Sequence, residues 1–388
     1  MNLPWRDAME QALYGPGGFF VAGTGPAANF RTSVHASPVF ARSLLRLVTQ
    51  VDAALDFPDP FEVVDVGAGR GELLRALSAG ATLGVSGEPT WSGSAPASET
   101  ASVPLARRVR FTAVELAPRP EDLPEQITWA DKIPTGITGL LIATEWLDNV
   151  PLDLAVHTPE GWRYLLVEPT SGEETTGGPV SEADANWLNT WWPLPAVGAP
   201  RTERAEIGRT RDEAWADAVG HVDRGLALAV DYGHLRGDRP VDGSLTGYRG
   251  GRQVPPVPDG SSDVTAHVAM DSVASAGERV GRCAYLLGSQ REGLRALGAD
   301  GGRPPLSLAA RDPAGYVRAL AEASAAAELT DPAGLGGHWW LWQPVGVRGW
   351  YEPRPTGAAL SDSRDQRASS ARMPGSWHDG GHDHGRPA

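Results

Sequence analysis

A glycine-rich loop is the segment of this 388-residue sequence that bears most directly on chemistry. Residues 64–71 read V-D-V-G-A-G-R-G, so Gly67, Gly69 and Gly71 follow a short apolar run that contains Asp65. Because glycine has no Cβ, its backbone can approach a ligand closely, and the helix that follows offers free amides at its N-terminus. The pattern is typical of a loop that cradles a nucleoside-containing cofactor.

The spacing of these glycines leaves three interpretations open. It is G-x-G-x-G, which lacks the third glycine placement of the dinucleotide fingerprint G-x-G-x-x-G. The loop also lacks the Lys and the Ser or Thr of a P-loop. An S-adenosylmethionine site, a dinucleotide site and a purely structural turn are therefore all compatible with the loop alone.

Two acidic residues follow later strand candidates and bear on that choice. Glu115 comes directly after the apolar run Val109–Val114. A carboxylate at the tip of this second strand can accept hydrogen bonds from both hydroxyls of an adenosine ribose, although an ordinary exposed acid is the alternative. Asp131 lies a few residues after the candidate strand at 127–129, where it could meet an adenine amino group or cap a helix.

The strands that must position these residues are predicted to form a parallel sheet. Short apolar runs occupy residues 61–66, 109–114, 127–129, 139–143 and 226–230. Continuous apolar strands are typical of a sheet covered on both faces, and in such sheets ligands collect outside the carboxyl ends of the strands. The predicted fold class is therefore α/β, with the acidic strand ends at one edge.

Further elements surround this sheet. Ser37 and Pro38 predict the start of a long amphipathic helix. About eighty residues separate the last two strands, more than a crossover needs, so a lobe is inserted there. Within it, the turn at 158–161 predicts a hairpin. A Ser- and Gly-rich surface insertion is expected at 80–104.

The chain is thereby divided into five segments. They are an N-terminal loop and helix extension (1–57), a cofactor-binding half (58–150), an inserted substrate-side lobe (151–222), the C-terminal half of the main domain (223–350) and a disordered tail (351–388). The tail histidines His378, His382 and His384 could chelate a metal, but a flexible chain gives little preorganisation, so no metal site is predicted.

Composition narrows the class of protein. The formal net charge of −14 argues against nucleic-acid binding, because phosphate affinity needs clustered Lys and Arg. A single cysteine, Cys283, excludes an intramolecular disulfide and fits a reducing compartment. No stretch approaches the roughly 20 apolar residues that span a bilayer. We therefore expect a cytoplasmic protein without membrane or nucleic-acid partners, and the oligomeric state is not predicted.

The order of several motifs resembles the MidA-like family, which includes the mitochondrial complex I assembly methyltransferase. The motifs are Y-G-P-G-G from Tyr14, the glycine loop, V-E-L-A-P from Val114, T-E-W-L-D-N-V-P from Thr144, V-D-Y-G-H from Val230, Y-R-G from Tyr248 and D-V-T-A-H-V from Asp263. The resemblance covers about residues 12 to 345, apart from the Ser- and Gly-rich insertion. The resemblance implies a class I methyltransferase fold with a Rossmann-like sheet, S-adenosyl-L-methionine (SAM) as cofactor, and a protein arginine as methyl acceptor.

Under this resemblance the candidate residues acquire roles. Asp65, Gly67, Gly69, Gly71, Glu115 and Asp131 are the expected cofactor-binding residues. Glu145 and Asp148 could grip a guanidinium bidentately, or could be an acid pair at a helix N-terminus. His234 could accept a proton after methyl transfer, or could make a structural hydrogen bond.

Some residues depart from the family pattern, and they affect the prediction of the methyl acceptor more than that of the cofactor. Trp146 and Leu147 stand where the family usually has two aromatics, and Asp65 and Ala68 stand where Glu and Pro are common. SAM binding should tolerate both changes. A small-molecule acceptor, or a non-catalytic role in protein assembly, therefore remains an alternative to arginine methylation.

Overall fold

The computed structural model of the chain describes residues 1–22, 33–82, 103–194, 204–299 and 301–347. The tail predicted at 351–388, and most of the insertion predicted at 80–104, lie outside these residues. Across the described ranges, no helix is long and apolar enough to cross a membrane.

Seventeen strands and twelve α-helices are present in the described part of the chain. The strands are β1 (Leu3–Pro4), β2 (Phe61–Val66), β3 (Val109–Val114), β4 (Ile127–Ala130), β5 (Ile137–Thr144), β6 (Asp153–Thr158), β7 (Gly161–Val167), β8 (Glu174–Pro179), β9 (Arg204–Ile207), β10 (Val222–Asp231), β11 (Gly233–His234), β12 (Thr246–Arg249), β13 (Arg252–Val254), β14 (Asp263–Thr265), β15 (Val268–Ala269), β16 (Leu286–Ser289) and β17 (Trp339–Val345). The helices are α1 (Trp5–Tyr14), α2 (Phe19–Ala22), α3 (Ser33–Ala36), α4 (Pro38–Ala54), α5 (Glu72–Thr82), α6 (Leu105–Arg108), α7 (Glu182–Trp191), α8 (Arg209–Gly220), α9 (Met270–Gly281), α10 (Gln290–Ala296), α11 (Leu306–Arg311) and α12 (Pro313–Leu329).

A seven-stranded sheet forms the centre of the molecule, in the order β16-β17-β10-β5-β2-β3-β4. Strands β4, β3, β2, β5 and β10 run parallel, and β17 is antiparallel to both of its neighbours. The strands predicted from the five apolar runs are confirmed. Their carboxyl ends meet at one edge, where the glycine loop and the acidic residues follow.

The strands are apolar throughout because helices cover both faces of the sheet. Val63 of β2 belongs to the apolar cluster that α4, α5, α10 and α12 form on one face. Val64 points the other way, into the cluster that includes Trp215 of α8 and Val273 of α9. The predicted helix cap is also present, since the Ser37 hydroxyl accepts a hydrogen bond of 3.1 Å from the Val39 amide at the start of α4.

The inserted lobe is built on a second, antiparallel sheet. Its hairpin, β6 and β7, is the one predicted from the turn at 158–161, and β8 and β9 flank it. The N-terminal segment, which the sequence analysis assigned to a separate extension, also joins this sheet. Strand β1 pairs with β7, with Leu3 opposite Val167, and helix α1 buries Met9 and Leu13 against Leu165. The apolar face of α1 therefore finds its partner about 150 residues away, which no local pattern reveals.

A buried ion pair links α4 to the end of α6, directly before β3. Nη2 of Arg108 lies 2.8 Å from Oδ2 of Asp52, and the side chains are only 5% and 4% exposed. Nη1 of Arg108 also donates to the second Asp52 oxygen and to the Pro58 carbonyl. Losing one partner leaves the other charge buried and unpaired.

We therefore expect Asp52→Ala to lower the free energy of unfolding by about 3–5 kcal/mol in urea titrations. The matched control is Glu322→Ala, because Glu322 is 55% exposed in its pair with Arg42. That substitution should cost less than about 1 kcal/mol. Equal losses for the two variants would show that burial does not determine the contribution of the Asp52 pair.

Candidate functional site

A cleft of about 880 Å³ opens at the carboxyl edge of the central sheet. Six of the predicted residues line it: Asp65, Gly67, Gly69, Glu115, Asp131 and Glu145. They come from the ends of β2, β3, β4 and β5, which the parallel register brings to the same edge. The N-terminal segment contributes Tyr14 and Phe20 to the same cleft.

The loop after β2 requires its glycines for two reasons. Gly67, Gly69 and Gly71 have φ angles of 72°, 58° and 78°, in the left-handed region that favours glycine. A Cβ on Gly67 would also lie 2.6 Å from Cδ1 of Trp146, so the loop packs directly on that indole. Gly71 does not line the cleft, and a Cβ there would meet Leu123. Its role is to let the chain turn into α5.

Glu115 joins the loop after β2 to the loop after β3. Its Oε2 accepts a hydrogen bond of 3.0 Å from the Gly69 amide, and its Oε1 accepts from the amides of Leu116 (2.7 Å) and Ala117 (3.1 Å). A carboxylate offers about four lone-pair sites, so three are engaged and about one remains for a ligand. Binding both hydroxyls of a ribose would therefore require one of these amide bonds to be shared or exchanged.

Asp65 places a buried carboxylate in the wall of the cleft. The residue is 2% exposed, and its Oδ1 lacks a hydrogen-bond partner in the described part of the chain. Burial raises the pKa of Asp65 well above its usual value, and the neighbouring carboxylates Glu72 and Glu115 raise it further. A cationic group in the cleft would relieve this repulsion and satisfy the unpartnered oxygen. The ammonium of an amino acid moiety, such as SAM carries, fits these requirements.

Glu145 stands at the end of β5 in an unusual backbone conformation. Its φ is 51°, which is uncommon for a residue with a side chain. The Glu145 amide donates a 2.7 Å hydrogen bond to the Val230 carbonyl, and Oε1 accepts one of 2.9 Å from the Ser33 amide. The carboxylate is thus held at the cleft between the sheet edge and the N-terminal segment.

Two predicted catalytic residues lie outside the cleft. Asp148 is 1% exposed, and its Oδ2 accepts hydrogen bonds from the hydroxyls of Tyr232 and Thr265. His234 is buried beside Arg239, whose Nη1 lies 2.7 Å from its Nδ1. Burial, with the nearby Arg239 charge, lowers the pKa of His234 to about 3. The structure therefore does not bring Asp148 and His234 together with Glu145 in the cleft.

Tyr14 is a cleft residue to which the sequence analysis assigned no role. Its hydroxyl donates a 3.3 Å hydrogen bond to the Asn149 carbonyl, and its ring stacks on Phe20 with 5.6 Å between centroids. Burial raises the pKa of Tyr14, and Glu115 leads the nearby carboxylates that raise it further. The Y-G-P-G-G motif marked this segment in the sequence, but the residues that Tyr14 contacts could not be identified without the fold.

The packing of Gly67 on Trp146 yields a test of the cofactor site. In Gly67→Ala, the new methyl group meets the indole in a strained backbone conformation, so we expect SAM binding to weaken at least about tenfold in isothermal titration calorimetry. Gly250→Ala is the control, since Gly250 has a φ of 57° but nothing within 4 Å of its Cβ position. SAM affinity that is unchanged in Gly67→Ala would place the cofactor elsewhere.

Comparison with solved structures supports the fold. A Burkholderia thailandensis protein crystallised with S-adenosyl-homocysteine bound has a TM-score of 0.69 and 23% sequence identity, over 90% of this chain and 89% of that chain. A native structure of an uncharacterised protein of the same superfamily and organism has a TM-score of 0.67 and 23% identity, over 90% and 88% of the two chains. A search of curated protein sequences gave no match.

A family model identifies the chain more specifically. Residues 39–286 match the model of a family described as "Putative S-adenosyl-L-methionine-dependent methyltransferase". The matched segment contains the glycine loop, Glu115, Asp131 and Glu145, and it confirms the family resemblance and the cofactor that the sequence motifs implied. The chain belongs to this family of SAM-dependent methyltransferases and has the α/β, Rossmann-like class I fold.

Proposed function

We propose that the chain transfers the methyl group of SAM to an arginine side chain of a protein. The observation that carries this proposal is the position of Glu145, a carboxylate held in the wall of the cleft at the end of β5. A guanidinium is planar and stays protonated at neutral pH, and it pairs well with a carboxylate. Glu145 would bind the guanidinium and turn one nitrogen toward the donor.

The charge of the cleft favours a cationic acceptor. Its lining includes the carboxylates of Glu10, Asp65, Glu72, Glu115, Asp131, Glu145 and Asp217, against the cations Arg70 and Lys132. Besides burial, Glu72 and Glu115 raise the pKa of Asp65, and Glu115 and Glu10 contribute to the raised pKa of Tyr14. An arginine side chain entering the cleft would lower this repulsion.

The cofactor would supply an electrophilic methyl group on a sulfonium, so no nucleophilic side chain is needed. Gly67, Gly69, Glu115, Asp65 and Asp131 would hold it, and the role of the protein is to align donor and acceptor and to exclude water. Tyr14 and Phe20 line the cleft from the N-terminal side, where they can limit access of water.

Asp148 has a positioning role in this proposal. It lies three residues after Glu145 and is fixed by Tyr232 and Thr265. Its carboxylate therefore anchors the segment that carries Glu145, and it does not contact the acceptor directly. His234 would have only a structural role, because its lowered pKa makes the imidazole a weak proton acceptor and it does not line the cleft. A cytoplasmic location, expected from the single cysteine, belongs to the same proposal.

Glu145→Gln tests the catalytic role. We expect the rate of methyl transfer to fall roughly a hundredfold or more, because the acceptor loses its charged partner and its alignment. The SAM dissociation constant should stay within about threefold of the wild-type value. The measurement combines radiolabelled SAM with lysate proteins, followed by acid hydrolysis and separation of methylated amino acids.

The matched control is Glu125→Gln, an identical change at an exposed residue that does not line the cleft. It should leave labelling unchanged. Label recovered as methylarginine with the wild type, and absent with Glu145→Gln, would support the proposal. Label confined to small metabolites would instead favour a small-molecule acceptor, and SAM binding without any labelled product would favour an assembly role.

A further inference from the structure

The cleft extends well beyond the residues assigned to cofactor and acceptor. One end contains Gly67 and Glu145, and the other end is lined by Thr135, Asp217 and His221. Thr135 lies in the connection between β4 and β5, and Asp217 lies near the C-terminus of α8. We call the part of the cleft between residues 131–136 and α8 the long groove.

The long groove runs the height of the sheet. Glu145 follows the carboxyl end of β5, whereas the amide of Ile137, at the other end of the same strand, donates a 2.9 Å hydrogen bond to the His221 carbonyl. An eight-residue strand has seven steps of about 3.3 Å, so these ends lie roughly 23 Å apart. A guanidinium at Glu145 would leave the far end of the long groove free.

The short connection between β4 and β5 explains why the long groove exists. Parallel strands are usually joined by a crossover of about a dozen residues or more that carries a helix. Here residues 131–136 cross the sheet without one, and Ile133 packs on the same apolar cluster as Trp215 and Val219 of α8. The connection and α8 therefore form two walls, to which Ile133 and Ala214 contribute lining residues.

The far end of the long groove carries mainly negative charge. Asp217 is exposed and lines the cleft, and Oδ2 of Asp223 lies 3.6 Å from the Cβ position of Gly136, so Asp223 stands beside this end without lining it. His221 places Nδ1 2.8 Å from the Asp217 carbonyl and 4.0 Å from its Oδ2. Lys132 is a cation on the opposite wall. Two carboxylates, Asp217 and Asp223, thus stand against the single cation Lys132. This balance of charge favours the binding of a basic group.

We propose that the long groove binds an extended segment of the acceptor polypeptide, with a basic side chain at the Asp217 end. Its length suits about seven residues in extended conformation. This inference rests on the proposed protein acceptor and adds a recognition site remote from the reacting atoms. The groove would thereby select arginines that lie a fixed distance from a second basic residue.

The test uses a fluorescein-labelled peptide of about seven residues in which glycine and arginine alternate, with a glycine and glutamate version as its counterpart. In fluorescence anisotropy, Asp217→Lys should weaken binding of the basic peptide about fivefold or more. Glu278→Lys makes the same charge change at an exposed position of α9 outside the cleft, and it should leave the affinity within about twofold. The SAM affinity of both variants should match the wild type.

Thr135→Trp provides a second variant that changes no charge. Thr135 is exposed, so the larger side chain should be tolerated and should obstruct the groove, again weakening the basic peptide. Equal affinities for all variants, or equal binding of the acidic peptide, would overturn the inference. The two proposals fail separately, because peptide binding that depends on Asp217 without any methylarginine product would contradict only the proposed reaction.

Discussion

The arrangement of the cleft depends on the hydrogen bonds that the buried guanidinium of Arg211 donates. Arg211 is 1% exposed and donates hydrogen bonds to the carbonyls of Asp148 (2.5 Å), Val150 (3.1 Å), Ala266 (2.9 Å) and His267 (3.0 Å). It thereby ties the segment after β5 to the segment after β14. Buried carbonyls without such a donor would be costly, and a buried cation without acceptors would be costlier still.

Other residues distant in sequence complete this attachment. Asp231 accepts hydrogen bonds from the amides of Leu147 and Asp148, and Asp263 accepts one of 2.7 Å from the Asn149 side chain. The segment that begins at Glu145 is therefore fixed from β10, β14 and α8 together. Such bracing explains how Glu145 keeps a φ of 51°, because a strained residue persists only where its surroundings hold it.

Local patterns in the sequence were sufficient for the five parallel strands and for six of the residues that line the cleft. The apolar runs that end at Gly67, Glu115 and Glu145 are parallel strands of one sheet, as their continuous apolar composition predicted. The contribution of Tyr14 could not be predicted, since it depends on where α1 packs. For Asp148, sequence proximity to Glu145 suggested a shared cleft, but the turn after β5 points the two side chains in different directions.

The pairing of Leu3 with Val167 constrains the order in which the chain can be assembled during synthesis. The glycine loop and its neighbours lie before residue 150, so their strands emerge from the ribosome while the partner of the N-terminus is still missing. The glycine loop and the ends of β2, β3 and β4 can thus form before the wall containing Tyr14, which is added only after the hairpin has been translated.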